Sequence, residues 1–412
     1  MIRLGLDSIC YLCHKLNDPQ DKLRFIHIAG TNGKGSTAAF TASMLKEAHL
    51  RVGVYSSPAV IRREEVIRVG GRCISVSDYD EGMAHIDEVC KEIESEGKLS
   101  PTEFERETAL ALMYFVKKEC DVVVLECGMG GETDATNVVN NTLAAVFTSI
   151  SWDHMDYLGD SLHKIAWTKS GIIKKESYVF TSNTEEDIVS AIRERAIENG
   201  ATVSLNGDLV NITKTNKNLK KYISMTGVHQ LENASLAVSV VRQVLPKILD
   251  ELGRSALSED NFKKIIENGL HNAYMPGRFE RIAEKPFIII DGGHNPGAAA
   301  VLHENIMSTI KNKKLFIVVG MLRNKDHDKV LKTVIPEASQ VFTISTFGER
   351  GYSALELAND ALPYNKNVTA IGGVEEALDM ALMMADKKDA ILIFGSFTFL
   401  KDVKDHIKER LK

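Results

Sequence analysis

The run Gly30-Thr31-Asn32-Gly33-Lys34-Gly35-Ser36-Thr37 sets a lysine among glycines, just ahead of two hydroxyl residues. Each part has a use around phosphate. Glycines let backbone N–H groups come close to an anion, and a helix opening there adds roughly half a positive charge. Lys34 would bring a full charge to the outer phosphates, and Ser36 a hydroxyl for a divalent cation. The usual phosphate loop puts Ser or Thr directly after its lysine, whereas here Gly35 intervenes.

Other residues could complete such chemistry. Glu126 ends the apolar run Asp121-Val122-Val123-Val124-Leu125. A carboxylate there either faces a ligand in the crevice, holding Mg²⁺ through oxygen, or bonds loop amides. His154, in Ser151-Trp152-Asp153-His154-Met155-Asp156, also follows an apolar run, and alone it reads first as a hydrogen-bonding loop residue. Asp291-Gly292-Gly293-His294-Asn295-Pro296 follows a fully apolar strand, where an aspartate and two glycines suit ribose hydroxyls and close backbone approach. Neither a Ser-His-Asp pattern nor a paired-carboxylate signature stands out.

The elements that would position these residues alternate along the chain. Apolar runs predict strands at 24–29, 51–56, 121–127, 144–150 and 178–182, with amphipathic helical spacing between several of them. The polar, Asn- and Lys-rich stretch 204–224 reads as a hairpin or small sheet appended to the first domain, and 229–245 as a long helix. After Met275-Pro276-Gly277 the alternation restarts, with strands at 287–291, 315–320, 340–345 and 390–395. The expected architecture is α/β in two domains, residues 1–275 and 276–412. The first is a mainly parallel, P-loop ATPase-like sheet with a small appended β element; the second is a Rossmann-like α/β domain.

Bulk properties agree. A chain of 412 residues exceeds one growing core, and 44% apolar with 26% charged residues is ordinary for a globular protein. A net charge of −6 argues against nucleic-acid binding through bulk electrostatics. Neither a secretory signal nor an apolar run of ~18 residues is visible, so no membrane partner and a cytoplasmic location are expected. Cys10-Tyr11-Leu12-Cys13-His14 matches a haem-attachment pattern, but its helical apolar spacing predicts buried or half-buried thiols on a helix.

Gly30–Ser36 resembles the nucleotide loop of the Mur-type amide-bond ligases, in which a glycine follows the lysine. Within that superfamily the chain is most similar to the folylpolyglutamate synthase/dihydrofolate synthase family. The motifs that carry the likeness run in the family's order: Ser56-Ser57-Pro58, Thr102–Glu105, Glu126–Asn137, Ile150–Gly159, Lys169–Ile173, Gly227–Ala237, Pro276–Arg278, Asp291–Pro296 and Gly320–Asp326.

The resemblance implies ligation of L-glutamate to the terminal carboxylate of a reduced folate, or of dihydropteroate, through an acyl phosphate made with ATP. It implies a monomer and two Mg²⁺ ions held by Ser36, Glu126, His154 and a carbamylated Lys169, with Lys34 also catalytic. Gly30, Thr31, Asn32, Gly33, Lys34, Gly35, Ser36, Thr37, Asn233, Arg278, Asp291 and His294 would bind ATP in a cleft between the domains. Phe104, Glu105, Asp134 and Ala135 would meet the folate, and the C-terminal domain the glutamate. A Mur-type ligase acting on another carboxylate is the alternative. Ala59 where the family has His, Glu132 where it has Arg, and Val66 where an arginine is common depart from its pattern around the acceptor.

Overall fold

Five consecutive buried residues, Phe25–Ala29, form the strand at the centre of the larger sheet. The computed structural model describes residues 5–153, 155–311, 313–348 and 350–410. They group into two units, Met1–Ser224 with Gln230–Tyr274, and Met225–His229 with Met275–Lys412.

In the first unit β1 (Phe25–Ala29), β2 (Val52–Tyr55), β3 (Ile67–Val69), β4 (Arg72–Cys73), β5 (Val122–Glu126), β6 (Thr142–Phe147), β7 (Tyr178–Thr181) and β8 (Val210–Ile212) make one sheet. Their order is β4-β3-β2-β5-β1-β6-β7-β8. All neighbours pair in parallel except β2 with β3 and β3 with β4. β1, β2, β5 and β6 are buried throughout, the unbroken apolar pattern of parallel strands covered on both faces. One core cluster joins Ile9, Leu12 and Phe115 to Val123 and Leu125, and another joins Phe147 to Ile165, Ile188 and Ile192.

Ile28 lies opposite Glu126 in the β1–β5 register, which sets the loop after β1 beside the carboxylate that ends β5. The stretch 204–224 does not form a hairpin. It gives the single strand β8, parallel to β7, followed by a 3₁₀ turn at Lys217–Tyr222. The antiparallel pairing of this unit lies at the opposite edge, in β3 and β4.

The second unit contains β9 (Glu280–Glu284), β10 (Phe287–Asp291), β11 (Leu315–Val319), β12 (Gln340–Thr343), β13 (Val368–Ala370) and β14 (Ala390–Phe394). They are ordered β13-β12-β11-β14-β10-β9, all parallel except β9 with β10. Phe279, Ile289, Leu302, Ile317 and Phe394 belong to its core.

Among the described residues, no helix is long and apolar enough to cross a membrane. All six cysteines are free; on the helix Asp7–Lys15, Cys13 is buried and Cys10 is exposed.

Candidate active site

The chain leaves β1 through Gly30 (φ +149°) and enters the helix Lys34–Glu47 through Gly33 (φ +88°). Close packing reinforces the backbone requirement. A Cβ on Gly30 would lie 1.9 Å from Thr148 Oγ1, and one on Gly33 would lie 2.4 Å from Asn233 Oδ1. Between them the loop is tied to the segment after β6. Thr31 N donates to Ser149 O (2.7 Å), and Ser149 Oγ donates to Asn32 O (3.2 Å). Thr31 Oγ1 accepts from Ser151 N (3.0 Å) and donates to Ser151 O (3.2 Å).

No side chain caps the helix at Gly33. The first N–H groups of an uncapped helix are open to an outside acceptor, and the helix dipole favours an anion there. Ser36 sits in this first turn with 2% of its surface exposed. On an α-helix one inserted residue turns a side chain by about 100°, so Gly35 gives Ser36 a direction different from that of a hydroxyl placed directly after the lysine.

Two lysines converge on the same carbonyl. Lys34 Nζ donates to Gly30 O (3.2 Å) and Thr31 O (3.3 Å), and Lys169 Nζ donates to Gly30 O (3.1 Å). Lys169 comes from the last turn of the helix Leu162–Ser170 and is buried. Burial first, and the nearby Lys34 charge second, bring its pKa down to about 7, with Asp153 opposing. The two lysines line a small cleft with Gly30, Cys127, Gly128, Met129, Gly130 and Asp153.

Glu126, 2% exposed, ends β5, and the next amide, Cys127 N, donates to Ile28 O (2.9 Å). Behind the cleft, Cys127 Sγ and Thr136 Oγ1 lie 3.1 and 3.0 Å from His27 Nε2. Burial brings His27 down to about 3 and pushes the Cys127 thiol up, so both are neutral at physiological pH. His154 lies outside the described residues. Among the described residues, no group of three or more His, Cys, Asp or Glu side chains is placed to hold a metal ion. Ser36 and Glu126 are hard oxygen donors, which suit a cation such as Mg²⁺ that keeps several waters.

Asn233 reaches the loop: it is buried near the start of the helix Gln230–Glu251, and its amide is packed on Gly33. Phe104 covers Gly128, where a Cβ would meet its ring at 2.6 Å, and its centroid is 6.1 Å from that of Tyr55. Glu105 closes a capping box, with Oε2 accepting from Thr102 N and Thr102 Oγ1, both at 2.7 Å. Asp134 accepts from Met129 N (2.7 Å), Thr136 N (3.0 Å) and Thr136 Oγ1, and Ala135 is buried beside it. Burial raises the Asp134 pKa against these hydrogen bonds.

The remaining predicted residues belong to the second unit. Asp291 Oδ2 accepts from Phe279 N (2.7 Å), and Oδ1 accepts from Gly293 N (2.6 Å). Burial raises its pKa, while Arg278 pulls it down. The Arg278 guanidinium stands over the Phe397 ring, 4.5 Å from its centroid, and His294 Nδ1 lies 3.1 Å from Gly292 O. Asp153, Cys127 and His27 were not singled out from the sequence. The first two lie inside motifs already noted and carried no spacing signal of their own, while His27 is hidden in an apolar strand.

Residues 28–241 match the Mur ligase middle domain, and residues 277–397 match the Mur ligase glutamate ligase domain. The dihydrofolate synthase/folylpolyglutamate synthase of Bacillus subtilis is 32% identical, over 99% of this chain and 96% of its own length. The chain belongs to the folylpolyglutamate synthase/dihydrofolate synthase family of Mur ligases.

Another member of this family, a probable bifunctional folylpolyglutamate synthase/dihydropteroate synthase of Haloferax volcanii, is 34% identical over 98% of this chain. The chain spans 48% of that protein, about half its length. Solved structures of the family share the fold. FolC of Escherichia coli in complex with DHPP and ADP gives a TM-score of 0.82 at 30% identity, covering 100% of this chain and 95% of its own. A bifunctional folylpolyglutamate synthase/dihydrofolate synthase with Mn, AMPPNP and L-glutamate bound gives 0.82 at 30% identity, covering 99% and 95%.

Proposed function

We propose that the protein is an ATP-dependent ligase that joins L-glutamate to the terminal carboxylate of a reduced folate, and that it also takes dihydropteroate as the acid. The acid attacks the γ-phosphate of ATP to give an acyl phosphate, and the glutamate amine then displaces phosphate to form the amide. The observation that carries this reading is the uncapped helix start behind Gly33 with two lysines converging on Gly30 O. Family membership and the ligands named for related structures support the choice of substrates.

In this reading the amides of Gly30–Thr37 receive the phosphates, and Lys34 swings from the carbonyls of Gly30 and Thr31 to the outer ones. Both reactants of the first step are anions, so positive charge fixed in advance lowers the barrier. Ser36, Glu126, His154 and a carbamylated Lys169 would hold two Mg²⁺ ions, which would supply charge neutralisation on the phosphates. A pKa of about 7 supports the modification, because carbamate formation on carbon dioxide needs a neutral amine and releases its proton.

Asn233, set on Gly33, serves the phosphate side of the nucleotide. Arg278 and His294 contact ATP, and Asp291 fixes the turn that carries them. Phe104 offers a ring to the folate, within a wall shaped by Glu105, Asp134 and Ala135. Residues 276–412 take the glutamate, and the enzyme works as a cytoplasmic monomer.

The test supplies purified protein with Mg-ATP, glutamate and either tetrahydrofolate or dihydropteroate, and scores phosphate release and product mass. Glutamate-dependent release with a product heavier by one glutamyl residue is expected with both acids. Silence with both removes the reading. Arg278→Ala should lose turnover, and full activity in that variant removes its role.

A further inference from the structure

A second cavity, of about 500 Å³, lies in the first unit and shares no lining residue with the cleft at Gly30. Its size falls within the range of small-molecule sites. It forms where β7 and β8 meet the later turns of the helix Gln230–Glu251 and the start of the helix Glu259–Asn272. Phe180 and Leu249 give it an apolar floor, and both are buried.

Three features of the lining point to a ligand. Gln243 is 8% exposed, and its Oε1 accepts from Leu205 N (2.8 Å). Its Nε2 has no protein acceptor among the described residues, and Gln243 lines the cavity. A donor held this way can meet an acceptor on a ligand in place of water.

The Arg242 guanidinium stands 5.0 Å from the centroid of the Phe262 ring, and Arg242 lines the cavity while staying exposed. A guanidinium held on one aromatic is a flat platform for another. Leu205, at the mouth, is 76% exposed, an apolar side chain that an occupant would cover. The formal charges balance, Arg242 and Arg254 against Asp250 and Glu259, which favours an uncharged molecule.

We propose that this cavity binds an uncharged planar heteroaromatic molecule of up to nucleoside size, stacked on Arg242 with a carbonyl or ring nitrogen facing Gln243 Nε2. The site is independent of the ligase reading.

The test titrates the full chain with hypoxanthine, inosine and pterin by calorimetry, alongside three variants. Gln243→Glu keeps an acceptor for Leu205 N and removes the donor; Arg242→Ala removes the platform from an exposed position; Lys34→Ala alters only the other cleft. Circular dichroism and melting verify each fold. Saturable binding of at least one probe is expected, weakened about tenfold or more by Gln243→Glu and by Arg242→Ala, and unchanged by Lys34→Ala. Absence of saturable binding by all three probes overturns the proposal. So does binding that Lys34→Ala abolishes while the other two variants leave it intact.

Discussion

The molecule contains two strand–glycine–helix turns built to one plan, and they end differently. In the first unit β1 runs through Gly30 and Gly33 into a helix with no side-chain cap. In the second, β10 runs through Asp291, Gly292 and Gly293 into the helix Pro296–Thr309. There Asn295 accepts from Ala298 N (2.8 Å), and Pro296 sits at the helix start. The second helix therefore has its first-turn donors partly met from within, and proline removes another donor. The first turn keeps the half-buried Lys34 beside open amides. The second holds a carboxylate already bonded to two backbone amides. The same topology leaves helix-start amides open in one place and bonds them from within in the other, and the cap residue makes the difference.

The comparison can be broken most severely at Lys34. Lys34→Ala should reduce turnover by about 10²–10³-fold while leaving the melting temperature nearly unchanged, since the side chain bonds only loop carbonyls. An equal loss of stability would make it part of the scaffold, like Asp291.

Lys169 comes next, through pH. The folded protein releases this proton near pH 7 and the unfolded chain near the usual 10.5. Between those values unfolding takes up a proton, so stability climbs with pH across the window and is lowest below it, where both states are charged. In buffer free of carbon dioxide, Lys169→Met should flatten this climb by up to about 1.4 kcal/mol per pH unit. Parallel stability curves for the two proteins would mean that the buried lysine titrates normally.

In the second turn the effects should fall on stability. Asp291→Asn replaces one of two acceptor oxygens with a donor facing an N–H. We expect a loss of about 1.5–3 kcal/mol in denaturant unfolding. Unaltered stability with lost ATP affinity would show that the carboxylate meets the nucleotide directly. Asn295→Ala should cost about 1 kcal/mol as a lost cap, with unchanged nucleotide affinity. Tighter anion binding in that variant would show that the cap alone separates the two turns.

What could be read in the sequence followed burial. Phe25–Ala29 and Val122–Glu126 are strands covered on both faces, so their apolar runs announced both the elements and the residues just beyond them. β8 and the β3–β4 pair lie at the edges, where polar residues are tolerated and periodicity fades. That is why 204–224 suggested a hairpin and the Arg-containing pair at the other edge went unseen. At the site, Gly30–Ser36 was legible because the turn itself restricts residue type: Gly30 and Gly33 take positive φ and leave no room for a Cβ. Thr102-Glu103-Phe104-Glu105 carried two messages, since Thr-x-x-Glu is also the pattern of a capping box, and the structure forms that box. The Asn233 contact with Gly33 joins residues far apart in the chain, and local pattern gives no hint of such a partner.

Cys127 gives the protein a built-in chemical clock. Cys127 follows Glu126 directly and is 1% exposed, and its thiol, set behind the cleft against His27, is kept protonated by burial. The thiolate is the form that attacks a thiol reagent, so labelling of Cys127 must wait for the strand end to open, whereas the exposed Cys10 on the first helix needs no such event. Followed by peptide mass spectrometry, the ratio of the two labelling rates would time the breathing of the cleft in unmodified protein. A ligand that braces the Gly30 loop would lengthen the Cys127 interval and leave the Cys10 rate as an internal reference.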